Sequence, residues 1–152
     1  MRDVMGRNLV FHIPAYTSIN SAFPKPINDQ YDYWMPLINY FLSKADTIEF
    51  HCWNEENKVV EEIKCLNINK IEMQDITIFK GEINSALTGY LLNQYLDDNN
   101  NFKWFTVDLI HDKVPVCHSG HWGTEFFVPN AQEKDAAMIK KAVSTETSLH
   151  QY

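Results

Sequence analysis

The chain has 152 residues, 45% hydrophobic and 13% aromatic, with 13 Lys and Arg against 20 Asp and Glu for a formal net charge of −7. Such a length is one domain's worth of chain and buries a core without staples, and the large apolar residues exclude disorder. The negative balance makes nucleic acid a poor partner, because affinity for a phosphate backbone comes mainly from Lys and Arg that neutralise it.

In chain order, "RNLVFHIP" (7–14) reads as a first strand, and "AYTSINSAFPKPINDQ" (15–30), with Ser, Asn and prolines around Lys25, as a surface loop. "YDYWMPLINYFLSKA" (31–45) is a helix if Pro36 falls in its first turn, with Asp32 as N-cap and Trp34, Leu37, Ile38 and Phe41 as its buried stripe. A strand follows at "TIEFHCW" (47–53), where Ile48, Phe50 and Cys52 alternate with Glu49, His51 and Trp53. "NEEN" turns it into a second run, "KVVEEIKCL" (58–66), and the two are expected to pair as a hairpin. "DITIFKGEI" (75–83) is a strand, and "NSALTGYLLNQYL" (84–96) a helix capped by Asn84 or Ser85, burying Leu87, Tyr90, Leu91 and Tyr95. The remainder reads as strands at "FKWFTVDLI", "VPVCH" and "TEFFVP", then a helix, "AQEKDAAMIKKAV" (131–143), capped by Asn130. Its first turn holds Glu133 and Asp135 and its last turn Lys140 and Lys141, as the helix dipole prefers.

Strands joined by short turns favour antiparallel pairing, so the expected fold is α+β: a single mostly antiparallel sheet with about three helices packed on it. One domain spans 1–143, and 144–152 is a polar C-terminal tail expected to fray. The apolar run near the N-terminus is about five residues, short of a signal-peptide core, and nothing approaches the roughly 18 needed to span a bilayer. A cytoplasmic protein with no membrane contact is expected. Three widely spaced cysteines, Cys52, Cys65 and Cys117, argue for reduced thiols.

The segment "VPVCHSGHWGTEFF" (114–127) concentrates the chemistry. Cys117, His118 and His121 offer metal ligands, but zinc signatures come as close-spaced pairs and no second pair of similar spacing is present. On a neighbouring strand His51 or Cys52, not both, can reach a shared site, since adjacent strand residues point to opposite faces. A Cys117 nucleophile with His51, His111 or His121 as base and Asp108 as orienting group is a second reading, and it matches no protease signature. The preferred reading is a glycine-kinked hairpin at Gly120 and Gly123. The chain also lacks G-x-G-x-x-G, a P-loop, G-x-S-x-G and H-E-x-x-H, so no cofactor, no resident metal and no catalytic residue is assigned.

Acid clusters instead. Between residues 49 and 62 the chain places Glu49, Glu55, Glu56, Glu61 and Glu62 around Trp53, relieved by Lys58 alone. As a recognition surface, its charges steer a basic partner in, and Trp53, Trp104 and Trp122 supply the aromatic contacts that carry binding energy. A short acidic chain rich in Trp and Tyr, without catalytic motifs, resembles the immunity proteins of bacterial polymorphic-toxin and contact-dependent inhibition systems. The resemblance lies in general character, with no family motif matched, so no residue role is carried over from it. It implies a stoichiometric inhibitor, not an enzyme, that binds a cognate basic toxin, often a nuclease. The alternative is a small cysteine/histidine hydrolase or zinc-dependent enzyme centred on Cys117, His118 and His121.

Overall fold

A computed structural model describes residues 6–17, 24–27 and 30–151. Within them the chain forms an eight-stranded antiparallel sheet, a two-stranded ribbon and four helices, so the fold is α+β with one main sheet. In chain order these are β1 (Arg7–His12), β2 (Ala15–Tyr16), β3 (Lys25–Pro26), α1 (Trp34–Leu42), β4 (Thr47–Trp53), α2 (Asn57–Lys64), β5 (Asn69–Glu72) and β6 (Ile76–Glu82). They continue as α3 (Ser85–Asn93), β7 (Thr106–His111), β8 (Val114–Gly120), β9 (Glu125–Ala131), α4 (Glu133–Ala142) and β10 (Ser148–Gln151). The main sheet runs β10-β1-β9-β8-β7-β4-β6-β5, and β2 pairs only with β3. Of the loop expected over 15–30, residues 18–23 and 28–29 lie outside the described residues. No helix among the described residues is long and apolar enough to cross a membrane.

Period-two alternation decides which face of the sheet is buried. Ile48, Phe50 and Cys52 of β4, Phe79 of β6, Val107 and Leu109 of β7, Phe126 and Val128 of β9, and Leu9 and Phe11 of β1 all turn to one side. There they join one core with Trp34, Leu37, Ile38 and Phe41 of α1, Ile63 of α2, Leu87 and Leu91 of α3, and Ile139 of α4. The stripe expected on α1 is therefore the buried one, and Pro36 sits in the first turn, where its missing N–H costs nothing. The side chain of Asn84 caps α3 by accepting from the Leu87 N–H at 2.9 Å. The opposite face of the sheet carries no helix among the described residues.

Four expectations are corrected. Residues 58–66 do not return as a hairpin strand: β4 leads through a tight turn into α2, whose Val59, Val60 and Ile63 form one apolar stripe at helical spacing. Tyr33, not Asp32, precedes α1. Asn130 does not cap α4; it belongs to β9 with φ of 52°, and Gln132 takes the cap position. The segment expected to fray supplies β10, which pairs with β1 from Leu9 opposite Gln151 to His12 opposite Ser148. In addition β5 pairs with β6 at the other sheet edge, a strand with no buried side chain.

α4 is tied to α1 by a buried carboxylate. Asp135 accepts from Tyr40 Oη at 2.6 Å, Lys44 Nζ at 2.6 Å and the Gln132 backbone N–H at 2.8 Å. Burial pushes its pKa up, yet these three donors outweigh burial and hold it below the ordinary carboxylate range. A depressed folded-state pKa adds stability that is fully present above the unfolded value, about 3.9, and is lost as pH falls through the folded one. Asp135→Ala should therefore cost about 2 kcal/mol at pH 7, where three partly buried donors lose their acceptor. Its urea midpoint should converge on that of the parent chain as pH falls through the folded-state value. Equal destabilisation throughout that fall would assign the loss to packing instead.

Candidate functional site

The acidic residues converge where β4 ends. The Trp53 carbonyl accepts from the Glu56 N–H at 3.0 Å, closing the turn, and the Glu56 carbonyl accepts from the Val60 N–H to start α2. This leaves the Glu56 side chain at the helix entrance. Its Oε1 accepts from Trp122 Nε1 at 3.0 Å. Trp122 rides on the turn between β8 and β9, where His121, Trp122 and Gly123 have φ values of 46°, 53° and 79°. Two consecutive non-glycine residues in the left-handed region cost about 1 kcal/mol each. Local bonds hold them there: the Trp122 N–H donates to the Phe105 carbonyl, the Thr124 hydroxyl to the His121 carbonyl at 2.8 Å, and Tyr33 Oη to the Gly123 carbonyl at 2.6 Å. The glycine-containing turn expected in this segment is present, and its strained backbone aims an indole at a glutamate.

Glu56 borders a cleft of about 370 Å³ between the start of α2 and residues 96–103. Five carboxylates line it, Glu55, Glu56, Glu62, Asp97 and Asp98, against two lysines, Lys58 and Lys103, which leaves three net negative charges when all are ionised. Both lysines are already engaged, Lys103 with Glu62 and Lys58 with Asp98. Val59, Leu96 and Phe102 supply apolar wall. The acidic loop is fixed by Asp97, which accepts from the N–H groups of Asn99 and Asn101 at 2.8 and 2.9 Å. Burial pushes the Glu56 pKa up to about 7; the Trp122 hydrogen bond opposes this, and the charges of Glu55 and Asp97 add to it. At neutral pH the site thus holds a half-buried carboxylate with its proton loosely kept, while the two lysines of the cleft pair with Asp98 and Glu62.

Of the residues expected at an interface, Glu55, Glu56 and Glu62 line this cleft and Trp122 bonds to Glu56. Trp53 joins them through Phe105, whose ring lies 5.2 Å from that of Trp53 and 4.9 Å from that of Trp122. Glu61 does not join; it is exposed and pairs with Lys64 along α2. Glu49 lies on the open face of the sheet beside His51. Trp104 is corrected outright: its side chain is fully buried, so it contributes to the core and not to a surface. Asp97 and Asp98 were not expected there, because nothing in the residues after α3 shows that the chain folds back toward α2.

The cysteine and histidine cluster divides as strand alternation requires. Cys117 faces the core, fully buried, and desolvation pushes its thiol far above the ordinary value, which leaves it inert. His118 faces the other way, with Nδ1 2.6 Å from Asp108 Oδ1. That hydrogen bond raises the His118 pKa against the opposing effect of burial. His121 sits in the turn, 3.8 Å from Glu125. Asp108 does meet His51, at 4.0 Å, on the face of the sheet opposite to the one Cys117 turns to.

Comparison with family models, with characterised proteins and with solved structures finds no match to this chain. The geometry alone carries the functional reading.

Proposed function

We propose that this chain is an immunity-type protein of the cytoplasm that binds a basic protein toxin and neutralises it stoichiometrically, without turnover. The observation that carries the reading is the half-buried Glu56, fixed by Trp122 and bordering a cleft that four further carboxylates and two lysines line. A guanidinium or ammonium group entering this cleft meets a carboxylate whose desolvation has already been met by folding, so the attraction is not diluted by stripping water on arrival. The aromatic row Trp53, Phe105 and Trp122 stands beside it, and aromatic residues next to a central charge are where binding energy concentrates. The flanking carboxylates Glu55 and Asp98 are exposed and act at longer range, on the encounter.

The test uses the product of the reading frame adjacent to this gene. Its expression should arrest growth, co-expression of this chain should restore it, and the two should form a complex whose association slows as salt rises. Replacing both rim charges, Glu55→Lys with Asp98→Lys, should slow association about 10-fold and leave dissociation nearly unchanged. A harmless neighbour, or a toxic one that forms no complex, overturns the immunity reading. Unchanged association by the double variant removes the cleft from the interface.

A further inference from the structure

The open face of the sheet carries a second arrangement that the cleft does not use. Glu49 and His51 lie two residues apart on β4, so both point to this face, and Asp108 of β7 stands directly opposite Glu49 in the ladder. One ligand atom from each of the three lies within 4.8 Å of the other two. His51 Nε2 is 2.7 Å from Glu49 Oε1 and 4.0 Å from Asp108 Oδ2. All three side chains are a quarter exposed or less.

We propose that Glu49, His51 and Asp108 form a binding site for one divalent transition-metal ion, of the Zn²⁺ class. Two carboxylates this close repel each other, and burial strengthens the repulsion. His51 can supply one positive charge at most, whereas a divalent ion neutralises both carboxylates and takes the imidazole nitrogen as a third ligand. Zinc bonds of about 2.0 to 2.2 Å to nitrogen and oxygen put neighbouring ligand atoms about 3 to 3.5 Å apart, between the two separations observed around His51.

The surroundings fit the same assignment. His118 Nδ1 holds Asp108 Oδ1 at 2.6 Å, which leaves Oδ2 turned toward His51. A carboxylate oriented through one oxygen so that the other can ligate is the usual outer support of a metal site. His118 is in this sense a positioning residue. β4 and β7 are interior strands of the sheet, so the ligands stand on a rigid platform. The competing cations by register are Lys80, opposite Glu49 on β6, and His118, opposite Asp108 on β8, each a single charge at most. One imidazole and two carboxylates favour zinc over magnesium, which prefers an all-oxygen shell and retains its water. With three protein ligands on an exposed face, the remaining coordination positions open to solvent.

The test is isothermal titration of untagged, metal-free protein with ZnCl₂, and then with MgCl₂. One zinc per chain with a Kd of about 1 µM or tighter is expected, with magnesium at least about 100-fold weaker. His51→Ala should weaken zinc binding about 100-fold, and His118→Gln about 10-fold, the range found for outer supporting residues. Cys65→Ser, which changes the one exposed thiol, should leave binding unaltered. Far-UV dichroism and a urea midpoint confirm that each variant is folded, and Glu49→Gln provides a second near-isosteric probe should His51→Ala unfold. Failure to bind zinc at 100-fold above that Kd overturns the assignment, as does zinc binding that survives both the His51 and Glu49 changes.

Discussion

Trp104→Ala is expected to lower the unfolding free energy by about 3–5 kcal/mol, the range for deleting a fully buried large aromatic side chain. Four rings surround the indole, those of Trp34, Phe50, Tyr90 and Phe102, at centroid separations of 6.1, 5.1, 5.4 and 5.5 Å. They come from α1, β4, α3 and the segment before β7, so the lost contacts join two of the four helices to the sheet. A domain of this size has roughly 5–15 kcal/mol in total, so the variant stands near the edge of folding. Urea unfolding followed by far-UV dichroism measures the loss. Trp104→Phe retains a ring in the same place and should keep more than half of the stability that alanine forfeits. A loss below about 1 kcal/mol would mean that the side chain is not packed as described. Had Trp104 been a surface contact for a partner, its removal would weaken binding and leave the urea midpoint in place.

The contrast between Trp104 and Trp122 shows what the sequence could and could not convey. Both are tryptophans next to aromatic neighbours, and residue type does not distinguish an indole in the core from one at a surface. β4 was legible because its apolar residues alternate strictly, and α1 because Trp34, Leu37, Ile38 and Phe41 repeat at helical spacing. α2 was misread because Val59 and Val60 favour strands by type, while the spacing of Val59, Val60 and Ile63 fits one helical face. β5 escaped notice because all four of its side chains are exposed and it is held by backbone pairing to β6 alone. No periodicity can mark such a strand. The open-face group had half a signal, Glu49 and His51 two apart, but the placement of Asp108 beside them depends on register between strands distant in the chain. The cleft needed still more, since its acids come from two segments that meet only in the folded protein.

Glu56→Gln should act in opposite directions on stability and on binding. The folded-state pKa of Glu56 is raised to about 7, and the unfolded value is about 4.3. A raised carboxyl pKa means that the protonated form is favoured on folding. Its stabilisation is complete below the unfolded pKa and is lost as pH rises through the folded one. Glutamine keeps an acceptor for Trp122 and never ionises, so at pH 8 the variant should have a higher urea midpoint than the parent chain. That advantage should shrink through pH 7 and vanish near pH 4. In the complex with its basic partner, the same variant lacks the half-buried carboxylate that Trp122 holds at the edge of the cleft. Dissociation should quicken and affinity fall by about 2 kcal/mol or more, at least about 30-fold, as when one member of a desolvated charge pair is removed. The proton gives an independent signature. A cation in the cleft lowers the Glu56 pKa, so complex formation near pH 7 should release part of a proton, read as a binding enthalpy that changes with the ionisation heat of the buffer. In Glu56→Gln that buffer dependence should disappear. A variant that is stabilised at pH 8 yet binds with unchanged affinity and unchanged buffer dependence would leave Glu56 a strained structural residue and place the partner elsewhere.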